Sequence, residues 1–325
     1  MAIKILIIKL GALGDVLRTT PILRELRGQI TWVSHAKCLP LLVNNPFISN
    51  ILTLEQIKNG KNSDIFDLIL SLDDEYDGCD IASRIKSKKV IGSYLNDNHE
   101  KCYTVDSAKW FDMGLISRFG LDRANELKKA NTETYQKIVF EMMGLEFKGQ
   151  EYILPYEPKI YNDQITIGIE TRAGNRWPMK IWPRYKDLIS NLSNKNNKVV
   201  IFGQRHTLES YIEDVNSCDI IITGDTLCMH LGLALKKQVI AFFGPTSADE
   251  IFDYGRLIKI ISPAPCIKCY KNGCSEMPSC MDLISIDMVI EAIETASKRV
   301  LMYHDKGSLG DPRLGNNLHH ESLES

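Results

Sequence analysis

No stretch of this 325-residue chain approaches the roughly 18–20 consecutive apolar residues that a bilayer-crossing helix needs, and charges interrupt every hydrophobic run. A surplus of one charge is missing as well. Against 39 Lys and Arg stand 41 Asp and Glu, a net charge of −2, and a dedicated nucleic-acid binder would carry a marked basic excess. The N-terminus MAIKILIIKLGALGD lacks the features of a leader, since its apolar segment is short and no small-residue cleavage site follows. It is expected to be the first core strand of a cytoplasmic protein. Short-period repeats and low-complexity blocks are absent. What remains is an ordinary globular composition, 44% hydrophobic and 25% charged, at a length that suggests two domains.

Strand-like and helix-like runs alternate along the chain, which predicts βαβ units and parallel sheets. Residues 3–9 form a β-branched and Leu run, as in a strand covered on both faces. A helix is expected over 15–27, strands over 30–33, 51–54, 68–72 and 90–92, and a helix over 132–143. The two prolines of YILPYEPKIYN, residues 152–162, mark a linker. The alternation then restarts, with strands over 165–170, 198–202, 219–223, 239–243 and 257–261. Helices are expected over 183–192, 207–215, 226–235 and 286–301. The predicted organisation is a domain over 1–155, a second over 156–302, and a disordered tail over 303–325 rich in Gly, Asn, His and Ser. Two such halves leave a cleft between them, with ligands at the carboxyl ends of the strands.

Four loops after strands carry candidate chemistry. In the first, Gly11 and Gly14 let the backbone turn and Asp15 opens a helix. The third glycine of a dinucleotide fingerprint and the Gly-Lys-Ser/Thr of a phosphate loop are both missing. Asp15 is either a helix-terminal carboxylate, worth about 0.5–2 kcal/mol as a cap, or a general base aimed into the cleft. The second, TRAGNRWPMKIWP, sets Arg172, Arg176 and Lys180 around Gly174, Trp177 and Trp182. Such a basic loop suits a diphosphate, or else is a solvated cationic loop. In the third, TGDTLCMHLGLAL, Gly224, Asp225 and Thr226 open a helix that is apolar on nearly every face and therefore buried. Its first N–H groups, at Thr226 and Leu227, and the Thr226 hydroxyl are suited to an anion. His230 lies one turn further, close enough for the same ligand or packed as a core histidine. The fourth, Gly244-Pro245-Thr246-Ser247, is expected to cap a short helix toward Phe252.

Nine cysteines is an odd number, and five of them (Cys38, Cys79, Cys102, Cys218 and Cys228) are scattered, as expected of reduced core thiols. The other four, Cys266, Cys269, Cys274 and Cys280, spell C-x2-C-x4-C-x5-C. Four thiolates this close suit a closed tetrahedral structural site, zinc by default and iron as the alternative. Reduced thiols or a disulfide pair are the other readings.

The segments IKLGALGDVLRTTPIL, KIWP, GDTLCMHLGLAL and FFGPTS, in that order, resemble glycosyltransferase family 9, which includes the ADP-heptose:lipopolysaccharide heptosyltransferases. The resemblance implies a GT-B architecture, two Rossmann-like domains with parallel sheets facing a central cleft, acceptor on the first and nucleotide-sugar on the second. It implies an inverting transfer of heptose or a related sugar from ADP-heptose to a glycan, lipopolysaccharide-core or protein hydroxyl, with no cofactor required. Asp15 would be the base and Lys180 would stabilise the leaving diphosphate. By the resemblance Asp225 would bind sugar hydroxyls, Thr171 and Arg172 would line the donor pocket, and His230 matches the family's histidine; the other expected donor-side residues are Gly174, Arg205, Thr226, Leu227, Gly244 and Thr246, with Gly11 and Gly14 on the acceptor side. One departure concerns the nucleotide: GQRHTLE carries Arg205 where related enzymes often place an acidic residue, and Glu209 comes a turn later. The stretch between residues 54 and 129 names no acceptor, and an oligomer and a peripheral membrane attachment stay open. Two other readings compete: a GT-B epimerising hydrolase with no need of a base in the first loop, and a non-enzymatic metal-binding α/β protein built on the cysteines.

Overall fold

The computed structural model describes residues 2–60, 64–159, 164–174, 177–194, 198–271 and 273–307. The first apolar run forms β1 (Lys4–Ile8), whose Leu6, Ile7 and Ile8 have no solvent exposure. With it come α1 (Leu13–Thr19), β2 (Gln29–Ser34), α2 (Leu39–Leu42), β3 (Asn50–Thr53), α3 (Leu54–Asn59), β4 (Phe66–Ser71), α4 (Tyr76–Arg84), β5 (Ser87–Leu95) and β6 (Lys101–Tyr103). The six strands lie in the order β3-β2-β1-β4-β5-β6, parallel except for β6. Three further helices, α5 (Ala108–Phe111), α6 (Leu121–Ala130) and α7 (Tyr135–Met142), complete the first half.

The second half comprises β7 (Thr166–Ile169), α8 (Tyr185–Asn194), β8 (Lys198–Ile201), α9 (Leu208–Asn216), β9 (Ile220–Gly224), α10 (Leu227–Ala234), β10 (Gln238–Phe243), β11 (Leu257–Ile261) and α11 (Ile286–Gly307). Its strands form an all-parallel sheet in the order β11-β10-β9-β7-β8. In each sheet the chain works outward on one side and then crosses to the other, at β1/β4 and at β7/β9. Loops at the carboxyl ends of those central strands splay apart and form the crevice where ligands bind in open α/β sheets. Asp15 follows β1, Glu170 follows β7 and Asp225 follows β9.

α10 explains how the halves are held together. Its apolar residues face every direction, so its middle, Cys228–Leu233, is buried all round: Met229, Leu231 and Leu233 have no exposure. It packs on α1 as well as on α9, β9 and β10. One apolar cluster consequently runs from Val16 and Leu17 through Tyr135 and Ile138 to Met229 and Leu231. α11 shows ordinary one-sided amphipathicity, burying Val289, Ile293, Ala296 and Val300.

The helix expected over 15–27 is shorter than its apolar pattern. Pro21 has no N–H for the Leu17 carbonyl, so α1 ends at Thr19 and a 3-10 turn, Thr20–Arg24, follows. The Thr20 hydroxyl donates to that carbonyl at 2.8 Å. Leu54 opens α3 instead of closing β3, because Thr53 and Gln56 form a reciprocal capping box. The short helix expected after Thr246 is only a turn, in which Ser247 accepts the Asp249 N–H at 3.2 Å. Residues 152–159 carry no helix or strand, as expected, but Tyr152 and Ile153 are buried and the Ile153 N–H donates to the Thr20 hydroxyl at 2.9 Å. Residues 160–162 of the expected linker lie outside the described residues. α11 continues to Gly307, past the expected start of the tail, and residues 308–325 lie outside the described residues. Among the described residues no helix is long and apolar enough to cross a membrane.

Candidate active site

Asp15 sits in the first turn of α1, at the carboxyl end of β1, with its side chain 38% exposed. It is not the cap: that position belongs to Ala12, which makes no side-chain cap bond. Its Oδ1 pairs with Arg18 Nη2 at 2.9 Å. Burial alone would push the Asp15 carboxyl up, but Arg18, Lys9 and His230 outweigh it and hold the group below the usual carboxylate range. Lys9 lies beneath the loop, buried and bonded to Asp73 Oδ1 at 2.8 Å and the Leu72 carbonyl at 3.2 Å. Against the cost of burial, Asp73 keeps that ammonium charged. Asp73 also accepts the Leu10 N–H, so one buried pair ties the ends of β1 and β4 together.

On the opposite side, Lys180 and Asp225 meet. Lys180 Nζ donates to Asp225 Oδ2 at 2.7 Å and to the Asp225 carbonyl at 2.9 Å, and the Thr246 hydroxyl donates to the same Oδ2 at 2.8 Å. Burial raises the Asp225 carboxyl, yet Lys180, His230 and Thr246 bring it far below its ordinary value. The contact requires Gly224, where an added Cβ would stand 3.0 Å from the Lys180 carbonyl oxygen. Asp15 and Asp225 are close enough to feel each other's charge.

His230 joins the two sides. It is 5% exposed, and its Nδ1 is 3.0 Å from the Tyr152 hydroxyl, which also takes Gln136 Nε2 at 3.3 Å. A Cβ at Gly14 would lie 2.9 Å from His230 Cδ2, so Gly14 is there for close packing of α1 on α10 rather than for a special dihedral. Gly11 makes only ordinary contacts around its Cβ position, and Gly174 faces open space.

Burial, and behind it Arg18, pushes His230 down to about 4. The unfolded chain binds a proton near 6.5 and the folded one only near 4. Stability is therefore full above pH 6.5 and falls as pH drops toward 4, by about 3 kcal/mol in total. Melting curves between pH 7.5 and pH 4.5 should show this slope, and His230→Gln should flatten it. An unchanged slope in that variant would mean His230 titrates normally.

Both expected arginines that the structure describes are committed to carboxylates. Arg172 forms a two-pronged pair with Glu170, at 2.8 and 2.7 Å, and Glu170 also accepts the Tyr211 hydroxyl at 2.6 Å. Thr171 is half-buried beside it, and Arg176 lies outside the described residues. Arg205 stands exposed and is bound by Asp214 of α9. The Thr226 hydroxyl is the cap of α10, accepting the Cys228 N–H at 3.2 Å and bonding Thr223 at 3.0 Å; Leu227 is the first helical residue behind it. Sequence reasoning did not single out Arg18, Lys9, Asp73, Tyr152 or Glu170. For Arg18 a signal existed, the Asp-x-x-Arg spacing that lets neighbours on a helix pair.

The metal site expected at Cys266, Cys269, Cys274 and Cys280 is not supported. All four are free thiols, and among the described residues no three His, Cys, Asp or Glu side chains are gathered so as to hold a metal ion. Cys280 is drawn inward beneath Gly244, whose Cβ would lie 2.6 Å from its Sγ, while Cys266 and Cys274 are exposed. Burial, with the charges of Cys269, Cys266 and Cys274 behind it, raises the Cys280 thiol to about 11.

Two Rossmann-like sheets that face a cleft define a GT-B protein, and solved structures share this fold. The glycosyl transferase family 9 protein from Veillonella parvula superposes with a TM-score of 0.63 at 19% identity, covering 92% of this chain and 97% of that one. The E. coli heptosyltransferase WaaC with ADP-2-deoxy-2-fluoro heptose does so with a TM-score of 0.55 at 13% identity, over 90% and 99%. Residues 204–279 match the family described as glycosyltransferase family 9 (heptosyltransferase), which bears out the resemblance read from the motifs. A Lipooligosaccharide heptosyltransferase 2 from Campylobacter jejuni is 26% identical over 111 residues, 33% of this chain and 34% of the relative. The match thus spans about a third of the length of the curated relatives.

Proposed function

We propose that this protein is an inverting glycosyltransferase that moves heptose, or a closely related sugar, from ADP-heptose to a hydroxyl of a glycan, lipopolysaccharide core or protein. The observation that supports it most is the meeting of three parts: the Lys180–Asp225 pair at the start of α10, the packing of His230 on Gly14, and Asp15 beside that contact. The acceptor occupies the first half and the nucleotide-sugar the second. Asp15 removes the proton of the acceptor hydroxyl as its oxygen attacks the anomeric carbon from the face opposite the diphosphate. The bond to the diphosphate breaks through an oxocarbenium-like transition state, inverting the centre. An ammonium has three N–H bonds, and Lys180 gives two to Asp225; the third, with the N–H of Leu227, goes to the leaving diphosphate. Asp225 therefore orients Lys180 as well as facing the sugar.

Thermal unfolding with added nucleotides tests the donor. At 100 times its Kd a ligand adds about 2.7 kcal/mol to the native state, which for a chain of this size is a rise of several degrees. ADP and ADP-heptose should raise the melting temperature in this way, and UDP and GDP should raise it less. No response to ADP or ADP-heptose would refute the reading.

A further inference from the structure

Arg18 takes no part in the steps above, yet it is held from four directions. Its Nη2 bonds Asp15 at 2.9 Å, and its guanidinium carbon lies 4.1 Å from the ring centre of Tyr135 and 5.7 Å from that of Trp110. Its Nη1 faces Glu250 Oε2, from the second half of the chain, at 3.9 Å. Only 11% of the side chain is exposed, and Nε is buried with no hydrogen-bond partner. Glu250 is itself fixed, accepting the Tyr270 hydroxyl at 2.7 Å and, through its carbonyl, the Tyr135 N–H at 3.0 Å. Desolvating a guanidinium is costly, so a helix that needed only solubility here would leave it in water.

We infer that Arg18 is a positioning residue for the proton transfer, holding the Asp15 carboxylate by Oδ1 so that Oδ2 is presented to the acceptor hydroxyl, with Glu250 and Tyr135 holding Arg18 in turn. The inference rests on the reading of Asp15 as the base. A base must stand within about 2.6–3.2 Å of the proton it takes, and a half-exposed carboxylate with no tether samples several rotamers. The charged and titratable groups facing Asp15 are Arg18 on α1, Lys9 at the end of β1, Tyr135 on α7, His230 on α10 and Asp225 before α10. Lys9 is taken by Asp73, and Arg18 bonds Asp15 directly. Those facing Arg18 from other elements are Tyr135 on α7, Glu250 after β10, Asp225 and His230 at α10, and Tyr152.

The test uses the full chain labelled with carbon-13 at the aspartate carboxyls, the Asp15 signal being assigned by its loss in Asp15→Asn. Arg18→Gln should raise the midpoint of Asp15 by about 1–3 pH units, the size of an opposite-charge contact. In ADP release from ADP-heptose it should lower kcat about 100-fold with the donor KM unchanged, as for a misplaced base, and move the acid limb of the profile upward. Arg18→Lys keeps the charge but loses the planar fork, so the midpoint stays low while kcat falls about tenfold; it carries the test even if Arg18→Gln does not fold. An unmoved midpoint in Arg18→Gln, or full kcat in Arg18→Lys, overturns the inference alone. A fully active Asp15→Asn overturns the base reading, and the inference with it.

Discussion

Asp15→Asn is expected to cut turnover by about 10²–10⁴-fold, the usual contribution of a general base, with donor affinity left as it was. The amide keeps the shape of the carboxylate and can still accept from Arg18, so local packing is conserved. The lost charge leaves Arg18 facing Glu250 at 3.9 Å, and because the Asp15 side chain is 38% exposed the loss of stability should stay within about 1 kcal/mol. Rates of ADP release, ADP binding by calorimetry and a melting curve on the same preparation separate the three effects. Ordinary turnover in this variant would remove Asp15 from the mechanism. A variant that lost ADP binding would instead place Asp15 in the donor site.

The alternation of strands and helices was readable because parallel strands covered on both faces must be apolar throughout, as in KILII of β1 and IIIT of β9. The loops after those strands were therefore in view, and with them Asp15, Lys180, Asp225 and Thr246. Which cation meets which carboxylate was not, since a sequence shows charges and not their partners. Arg172 is claimed by Glu170 two residues before it, and Arg205 by Asp214 on the next helix. Glu170 sits inside an otherwise apolar strand end, where burial hid its role. Arg18 was obscure for a different reason: its i,i+3 partner is local, but Glu250 arrives from the other half of the chain. Between residues 54 and 129 short helices α4, α5 and α6 depend on tertiary packing more than on pattern, so polar composition concealed them. The cysteine spacing suggested ligands, yet among the described residues no three such side chains are gathered to hold an ion.

Lys180→Met should damage both stability and chemistry, and the two losses can be pulled apart. Asp225 is only 16% exposed, and taking its ammonium away strands a carboxylate in a nearly dry site, for which about 3–5 kcal/mol is the usual cost of breaking a buried pair. Thr246 still donates to Oδ2 at 2.8 Å, so the lower end of that range is expected. Turnover should fall about 10²–10³-fold, the scale for losing one donor to a developing negative charge. The double variant Lys180→Met/Asp225→Asn should recover most of the stability, since neither partner is left charged and alone, while turnover stays low because no cation faces the leaving diphosphate. A double-mutant cycle on denaturation midpoints and on kcat gives the two coupling energies side by side. Coupling in stability without recovered turnover means that Asp225 orients a lysine that acts on the substrate. Recovery of both in the double variant would mean that Lys180 serves only to neutralise Asp225, and the charge on the departing diphosphate would then have to be met by the N–H groups at the start of α10.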